Sequence, residues 1–193
     1  MVTDATPNPE LTSEPEPESS TEALVERAEA TVTAYLTDAE IPWESGARPG
    51  EFVLTLPGER KLRVVTSLLV GPVHTSVSAF VIRNPDENHA EVYRFLLRRN
   101  LRLPGLAYSV DKAGDVFVTG RMPAAGVDVD SLDQLLGVVL TACDEPFNEL
   151  LVMGFLSSMR KEWEWRVSRG ESLRNLEAFR GLLERPGDPP REA

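Results

Sequence analysis

The chain has 193 residues, of which 41% are hydrophobic and 26% charged, a composition typical of a globular protein with one hydrophobic core. Its formal net charge is −11, and residues 1–18 carry five acidic side chains with no lysine or arginine. Nucleic-acid binding needs clustered positive charge to displace counterions from phosphates. We therefore expect no nucleic-acid partner.

The single cysteine, Cys143, cannot form an internal disulfide, so the sequence gives no support for an oxidising compartment. The chain begins Met1-Val2-Thr3-Asp4, without the basic start and apolar stretch of a signal peptide. Its apolar runs are too short, or too often broken by charge, to span a bilayer. These features predict a cytoplasmic protein without a membrane segment.

Both ends of the chain are poor in large apolar residues. Residues 1–18 are rich in proline and glutamate, and residues 185–193 contain Pro186, Pro189 and Pro190. Such segments cannot bury enough apolar surface to offset their ordering entropy. We therefore predict disordered tails at 1–18 and 185–193, and a single α+β domain over 19–184.

The predicted domain opens with a helix followed by three strands. Ser19 and Glu22 fit a capping box, and apolar residues at helical spacing continue to Leu36, ahead of Pro42. Trp43 is interpreted as a packing anchor. Three alternating runs follow, which contain Phe52, Leu54 and Leu56; Leu62, Val64, Thr66, Leu68 and Val70; and Val73, Thr75, Val77, Ala79 and Val81. The short turns between these runs predict an antiparallel meander.

The second and third of these strands are nearly apolar on both sides at their centres. A sheet that is covered on one face only shows a cleaner alternation of apolar and polar residues. The pattern therefore predicts that something covers the second face, and a partner subunit is one candidate.

The second half of the predicted domain contains a helix, two strands and three further helices. A helix is predicted from about Glu87 to Asn100, with Ala90, Tyr93, Leu96 and Leu97 facing inward. Two strands, 106–110 and 116–119, follow and are joined by a turn at 111–115. A third helix is capped at Asp130-Ser131, a fourth has Asp144 as its cap and Pro146 in its first turn, and a last short helix covers 173–183.

This order, α-β-β-β-α-β-β-α with extra helix at the end, resembles the YbjN-like family of bacterial proteins and the wider type III secretion chaperone fold. The resemblance covers roughly residues 20–165 and depends mainly on the order of elements. Its sequence features are Leu96-Leu97-Arg98-Arg99-Asn100-Leu101, Asp111 in the hairpin turn, and Gly120-Arg121-Met122-Pro123 leading to Ser131-Leu132.

The resemblance implies an antiparallel sheet with helices packed on it and a homodimer. Secretion chaperones of this fold hold extended segments of client proteins, whereas the YbjN-like branch is described as regulatory or stress-related. Fold analogy alone does not assign a function. This chain also carries helix beyond residue 165, where the secretion chaperones end.

The sequence contains few residues suited to catalysis. His74 and His89 are the only histidines, and Cys143 lacks a local motif that would supply a base. Asp128, Asp130 and Asp133 lack the glycine and the terminal glutamate of a calcium loop, and are interpreted as helix-cap and first-turn charges. We expect no enzyme activity, no cofactor and no metal site.

Two tryptophans near the end of the fourth helix suggest a different role. Trp163 and Trp165 cannot share a helix face, because residues two apart point in different directions. One of them belongs to the core stripe with Met159, while Trp165, with Arg166 and Arg160 nearby, is a candidate protein-binding contact. The alternative, that Trp165 covers the edge of the core, remains open.

The sequence therefore favours a non-enzymatic, chaperone-like or adaptor module that binds an unidentified protein as a homodimer. The alternative is a regulatory or sensory module that binds a small ligand. A chaperone is expected to expose a contiguous apolar groove, whereas a sensor is expected to enclose a pocket with a few convergent polar groups.

Overall fold

A computed structural model describes residues 17–184, with side chains from residue 20 onward. Of the predicted tails at 1–18 and 185–193, residues 1–16 and 185–193 lie outside the described residues, and residues 17–18 belong to the first helix. The helices are α1 (Pro17–Asp38), α2 (His89–Asn100), α3 (Val129–Asp144), α4 (Phe147–Arg169) and α5 (Arg180–Leu183), and the strands are β1 (Trp43–Ser45), β2 (Glu51–Pro57), β3 (Arg63–Val70), β4 (His74–Ile82), β5 (Leu106–Val110) and β6 (Val116–Pro123).

The six strands form one antiparallel sheet in the order β1-β2-β3-β4-β6-β5. Alternate residues of each long strand are buried, as expected for a sheet with one face packed on a core. Helices α1 and α3 pack over this covered face, with Val32, Leu36, Leu132 and Val139 fully or nearly fully buried. The predicted α+β class, with an antiparallel sheet and helices packed on it, is confirmed.

Helix α4 packs near the C-terminal end of β4. Its Gly154 approaches Pro85 and Val92 closely enough that an added Cβ would stand 3.0 Å from the Pro85 side chain. The Gly154 carbonyl accepts hydrogen bonds from the backbone N–H groups of Asp86 and Glu87. These contacts place α4 firmly against α2 and the end of β4.

The sequence prediction missed one strand and misplaced several ends. Trp43 lies in the short edge strand β1, where its ring is 5.2 Å from that of Phe52, so the predicted packing contact exists inside a strand. Leu62 and Val73 precede β3 and β4 and are strongly exposed, because each belongs to the turn before its strand. Strand β6 continues beyond the predicted Thr119 to Pro123.

The predicted caps of three helices are also corrected. Helix α1 begins at Pro17, so Ser19 lies inside it; proline is accepted in a first turn because its missing N–H needs no partner there. Asp128, rather than Asp130, caps α3 by accepting from the Ser131 N–H. Asp144 is the last residue of α3 and does not cap α4.

Two further predictions change on inspection of α2 and the C-terminal segment. The buried residues of α2 are Val92 and Leu96, whereas Ala90 and Leu97 are exposed. The predicted helix over 173–183 is a 3₁₀ turn at Glu177–Phe179 followed by the four-residue α5. Phe179 and Leu183 are nevertheless buried, so this segment packs on the domain.

Candidate functional site

The face of the sheet opposite the helices is built from three rows of residues in register. We call it the open face. Its rows are Glu51–Leu69–Ser76–Arg121; Val53–Ser67–Ser78–Thr119–Ala107; and Thr55–Val65 together with Phe80–Phe117–Ser109. Every one of these residues is at least partly exposed. Phe80, in the third row, also lines a cavity beside α4. The full cover that the sequence predicts for this face is therefore not seen within residues 20–184.

The second and third rows of the open face contain no charged residue. At the chain's average of 26% charged residues, ten such positions would carry about two or three charges. Small residues fill the middle row, and valine and two phenylalanines occupy the third, where Val65 is 48% exposed. The absence of charge and the two phenylalanines fit the centre of a protein interface, where charged residues are depleted and aromatic residues enriched.

Charge returns at the two ends of the first row. Glu51 accepts hydrogen bonds from Arg48 and from the Ser67 hydroxyl, and the Arg48 bonds contribute most to lowering the Glu51 pKa to about 2. Arg121 lies at the other end, on β6, and is exposed. A shallow cavity of about 500 Å³ lies between the two ends, over Ser76 and Ser78.

A second surface lies at the end of α2, and we call it the arginine–leucine patch: Leu97, Arg98, Leu101, Arg102 and Leu103. Leu97 is 64% and Leu101 88% exposed, and Arg98 and Arg102 are exposed beside them. The patch borders a cleft of about 580 Å³ whose far wall is formed by Thr141, Ala142 and Glu145. The patch therefore combines exposed apolar side chains with positive charge on a chain with a net charge of −11.

A third site is a cavity of about 530 Å³ between the end of β4 and α4, which we call the Lys61 cavity. Most of its lining is apolar, and three phenylalanine rings contribute to it: Phe80, Phe147 and Phe155. The polar groups at its wall include Lys61, Arg83 and Glu162. Phe80 also belongs to the open face, where its ring meets Phe117 edge-on at 5.6 Å, so the cavity and the open face share this residue.

Lys61 is the one charged residue among the buried polar side chains of the described chain, with 9% of its surface exposed. Its ammonium donates to the carbonyl oxygens of Phe80 and, at 2.7 Å, of Val81, and it lies 4.7 Å from the centre of the Phe80 ring. Burial lowers the pKa of this ammonium. Sequence analysis missed Lys61, because it falls in a turn between two strands.

The residues considered for catalysis do not come together. Burial is the main cause that raises the Cys143 pKa, to about 12, while Lys61 and Asp144 are the charges that act on it. A thiol with this pKa stays protonated at neutral pH and is a poor nucleophile. His74 and His89 are both exposed, at the starts of β4 and α2, and neither is among the groups that act on Cys143.

The predicted tryptophan arrangement is seen in α4. Trp163 is buried with Met159, whereas Trp165 is 44% exposed and its ring lies 5.2 Å from the Arg169 guanidinium. Arg166 pairs with Glu162 and donates to the Ser172 carbonyl, and Arg160 donates to the Leu182 carbonyl. Arg160 and Arg166 thus tie the C-terminal segment to α4, and of these three residues Trp165 is the one that presents an apolar surface.

The described residues contain no helix long and apolar enough to cross a membrane.

Comparison with known proteins shows the family. Residues 29–151 match the model of YbjN, described as "Putative bacterial sensory transduction regulator". This chain belongs to the YbjN family. Uncharacterized protein Rv0487 of Mycobacterium tuberculosis is 53% identical over 137 residues, 71% of this chain and 75% of that protein. Uncharacterized protein ML2442 of Mycobacterium leprae is 49% identical over 161 residues, 82% of this chain and 86% of that protein.

Two solved structures are similar to this YbjN chain in the arrangement of their elements. A chain from the crystal structure of the ExsC–ExsE complex aligns with a TM-score of 0.49 and 16% identity, over 66% of this chain and 96% of that one. A chain from the HopA1–SchA chaperone–effector complex aligns with a TM-score of 0.45 and 13% identity, over 62% of this chain and 90% of that one.

Proposed function

We propose that this YbjN-family chain is a non-enzymatic protein-binding module that acts in the cytoplasm as a homodimer. The observation that carries the proposal is the open face, which has two uncharged rows whose residues all remain at least partly exposed in the described chain. An uncharged face on an otherwise charged protein fits burial in an interface, where charged residues are depleted. We commit to a second copy of the chain as its occupant.

The open face has Glu51, paired with Arg48, and Arg121 at opposite ends of its first row. A two-fold axis that runs between two stacked sheets, parallel to the strands and midway between β3 and β4, lays β2 of one copy over β6 of the other. Glu51 then faces Arg121 of the partner subunit, because both belong to the same row. The same operation lays Val65 over Phe80 of the partner subunit and the small middle rows over each other, which allows close stacking.

Replacing Ser78 by arginine is expected to convert the dimer to a monomer. Ser78 lies in the middle row, so the new guanidinium would be buried at the interface without a partner. In the monomer the same side chain faces water, and the fold should be kept. The measurement is the mass in solution by size-exclusion chromatography with multi-angle light scattering, where the wild type should give twice 21.3 kDa.

The matched control is Ser78→Ala, which keeps the position small and uncharged and should remain dimeric. Circular dichroism and thermal unfolding establish that the arginine variant is folded. A wild-type mass of 21.3 kDa at high micromolar concentration would refute the homodimer. A Ser78→Arg variant that is folded and still dimeric would place the interface elsewhere.

The arginine–leucine patch is the surface that we assign to the partner protein. Its exposed leucines can enter apolar pockets, and Arg98 and Arg102 would attract carboxylates that flank the partner's apolar residues. The partner segment is therefore expected to be acidic and to contain apolar anchors. Trp165, with Arg166 and Arg160 behind it, stays a second candidate contact for the same role.

Reversing two charges of the patch, Arg98→Glu with Arg102→Glu, is expected to weaken partner binding about tenfold or more. Affinity purification from the native cytosol, with proteins quantified by mass spectrometry, measures the loss for the protein recovered near one-to-one. Arg63→Glu, an exposed charge reversal at the start of β3, is the control. Loss of the partner with Trp165→Ala, and its retention by the double variant, would move the contact to α4.

A regulatory module that binds a small ligand is the second candidate function. The Lys61 cavity favours it, because the cavity combines an apolar lining with a few polar groups and falls in the range of about 300–1,000 Å³ typical of small-molecule sites. Phe80 links the cavity to the open face, so an occupant could bias dimer formation through this ring. This candidate needs no enzyme chemistry.

A further inference from the structure

The charged groups at the wall of the Lys61 cavity differ in whether an ion pair within the chain neutralises them. Arg83 forms a two-pronged ion pair with Asp86 and also lies 4.4 Å from the Phe155 ring centre, and Glu162 is paired with Arg166. Both of these charges at the wall are therefore neutralised within the chain. Among the described residues, no carboxylate forms an ion pair with the Lys61 ammonium.

The ammonium of Lys61 is also incompletely hydrogen-bonded by the described residues. It has three donors, and the contacts seen use two of them, to the Phe80 and Val81 carbonyls. Asp144 is nearby, but its carboxylate accepts from the Lys61 backbone N–H at 2.8 Å and forms no ion pair with the ammonium. A buried cation without a counter-charge is unfavourable, and an anion that reaches it from the cavity would relieve that cost.

The remainder of the cavity suits an uncharged, apolar group. Leu151, Met159, Leu176 and the three phenylalanine rings surround the space next to the ammonium. An occupant with a single anionic group at one end and an apolar body would satisfy both parts of the lining at once. A polyanion such as a nucleotide would place several phosphates against this apolar wall, where the Lys61 ammonium is the one cation without an ion-pair partner among the residues that line the cavity.

We propose that the Lys61 cavity binds a small amphipathic carboxylate, whose head accepts a hydrogen bond from the Lys61 ammonium while its apolar body lies among Phe80, Phe147 and Phe155. This inference deepens the second candidate function, since it names the chemical class of that ligand. It does not depend on the dimer or on the protein partner.

The test is isothermal titration calorimetry of the full chain at pH 7 with octanoate and with 1-octanol, which share an apolar body and differ in the charged head. The wild type is expected to bind octanoate about tenfold or more tightly than octanol, because both heads can accept a hydrogen bond from the ammonium but only the carboxylate adds an ion pair. Lys61→Met keeps the apolar stem and removes the charge. It is expected to weaken octanoate about tenfold and to weaken octanol by much less.

A second variant tests the apolar body separately. Leu151→Trp fills part of the cavity but keeps Lys61, and should weaken both ligands. If the wild type bound both ligands with equal affinity, or if Lys61→Met bound octanoate as tightly as the wild type does, the proposal that the ligand is a carboxylate would be wrong. The regulatory candidate function would still stand. Binding of neither ligand would overturn the inference. A chain truncated after Glu184 tests one further outcome. If octanoate bound to the truncated chain but not to the full chain, residues 185–193 would be the occupant of the cavity, and this result also overturns the inference.

The Ser78→Arg variant separates this inference from the proposed dimer. It should still bind octanoate and still prefer it to octanol, because Ser78 does not line the Lys61 cavity. A monomeric wild type that still binds octanoate would refute the dimer and support the ligand.

Discussion

Replacing Asp144 by alanine is expected to lower the free energy of unfolding by about 2–4 kcal/mol. One oxygen of this carboxylate accepts two backbone N–H groups, those of Arg60 and Lys61, each at 2.8 Å. Hydrogen bonds to a charged acceptor contribute about 1.5–3 kcal/mol each, and part of that is lost because Asp144 is partly exposed. The substitution also removes the anchor of the turn that carries Lys61 into its cavity.

Urea denaturation measures this change, at one fixed protein concentration because a dimer makes stability depend on concentration. Asp144→Asn is the matched control, since it keeps an oxygen acceptor of the same reach and should lose about half as much or less. The alanine variant should also bind octanoate more weakly than the asparagine variant does. Unfolding free energies within about 0.5 kcal/mol of the wild type for the alanine variant would contradict the anchoring role.

The sequence predicted the covered half of the sheet well and the open face poorly. Alternation of buried residues identified β2, β3 and β4 because one face of each packs on the helices, which is the condition for a clear period of two. The residues of the other face include serine, valine and leucine. This mixed composition fits a solvent-exposed face and an interface equally. The interface that we propose there is argued only from the register that aligns Ser67, Ser78 and Thr119 in one row.

The arginine–leucine patch shows why helical periodicity did not locate the exposed leucines. Adjacent residues on a helix point about 100° apart, so Leu96 and Leu97 cannot both face the core. The pattern does not say which of the two is inside. In the fold Val92 and Leu96, four residues apart, pack inward, and Leu97 is left on the surface beside Arg98.

The Lys61 cavity was beyond prediction because its walls come from distant parts of the chain. The turn before β3, the end of β4 and about four turns of α4 meet there, and Leu176 of the C-terminal segment also lines the cavity. A lone lysine between Arg60 and Leu62 is normally a solvated turn residue. Only the tertiary fold removes its ammonium from water.

Asn100 is the last residue of α2, and its side chain binds the outer edge of β5. Its replacement by leucine is expected to lower the free energy of unfolding by about 1–3 kcal/mol. Its side-chain oxygen accepts the Tyr108 N–H at 2.7 Å, and its amide group donates to the Tyr108 carbonyl at 3.5 Å. The side chain thus occupies backbone groups that would otherwise be open to pairing with another strand.

The leucine variant should therefore lose stability and also associate through the exposed edge of β5. Urea denaturation measures the first effect, and light scattering at rising protein concentration measures the second. Asn100→Asp keeps the oxygen for the shorter bond and should retain most of the stability and remain free of large aggregates. If leucine and aspartate were equally destabilising, the oxygen that accepts from Tyr108 would not be the feature that protects this edge. The protein would then keep β5 from further pairing by the packing of α2 alone, and the asparagine that the family resemblance singled out would need another explanation.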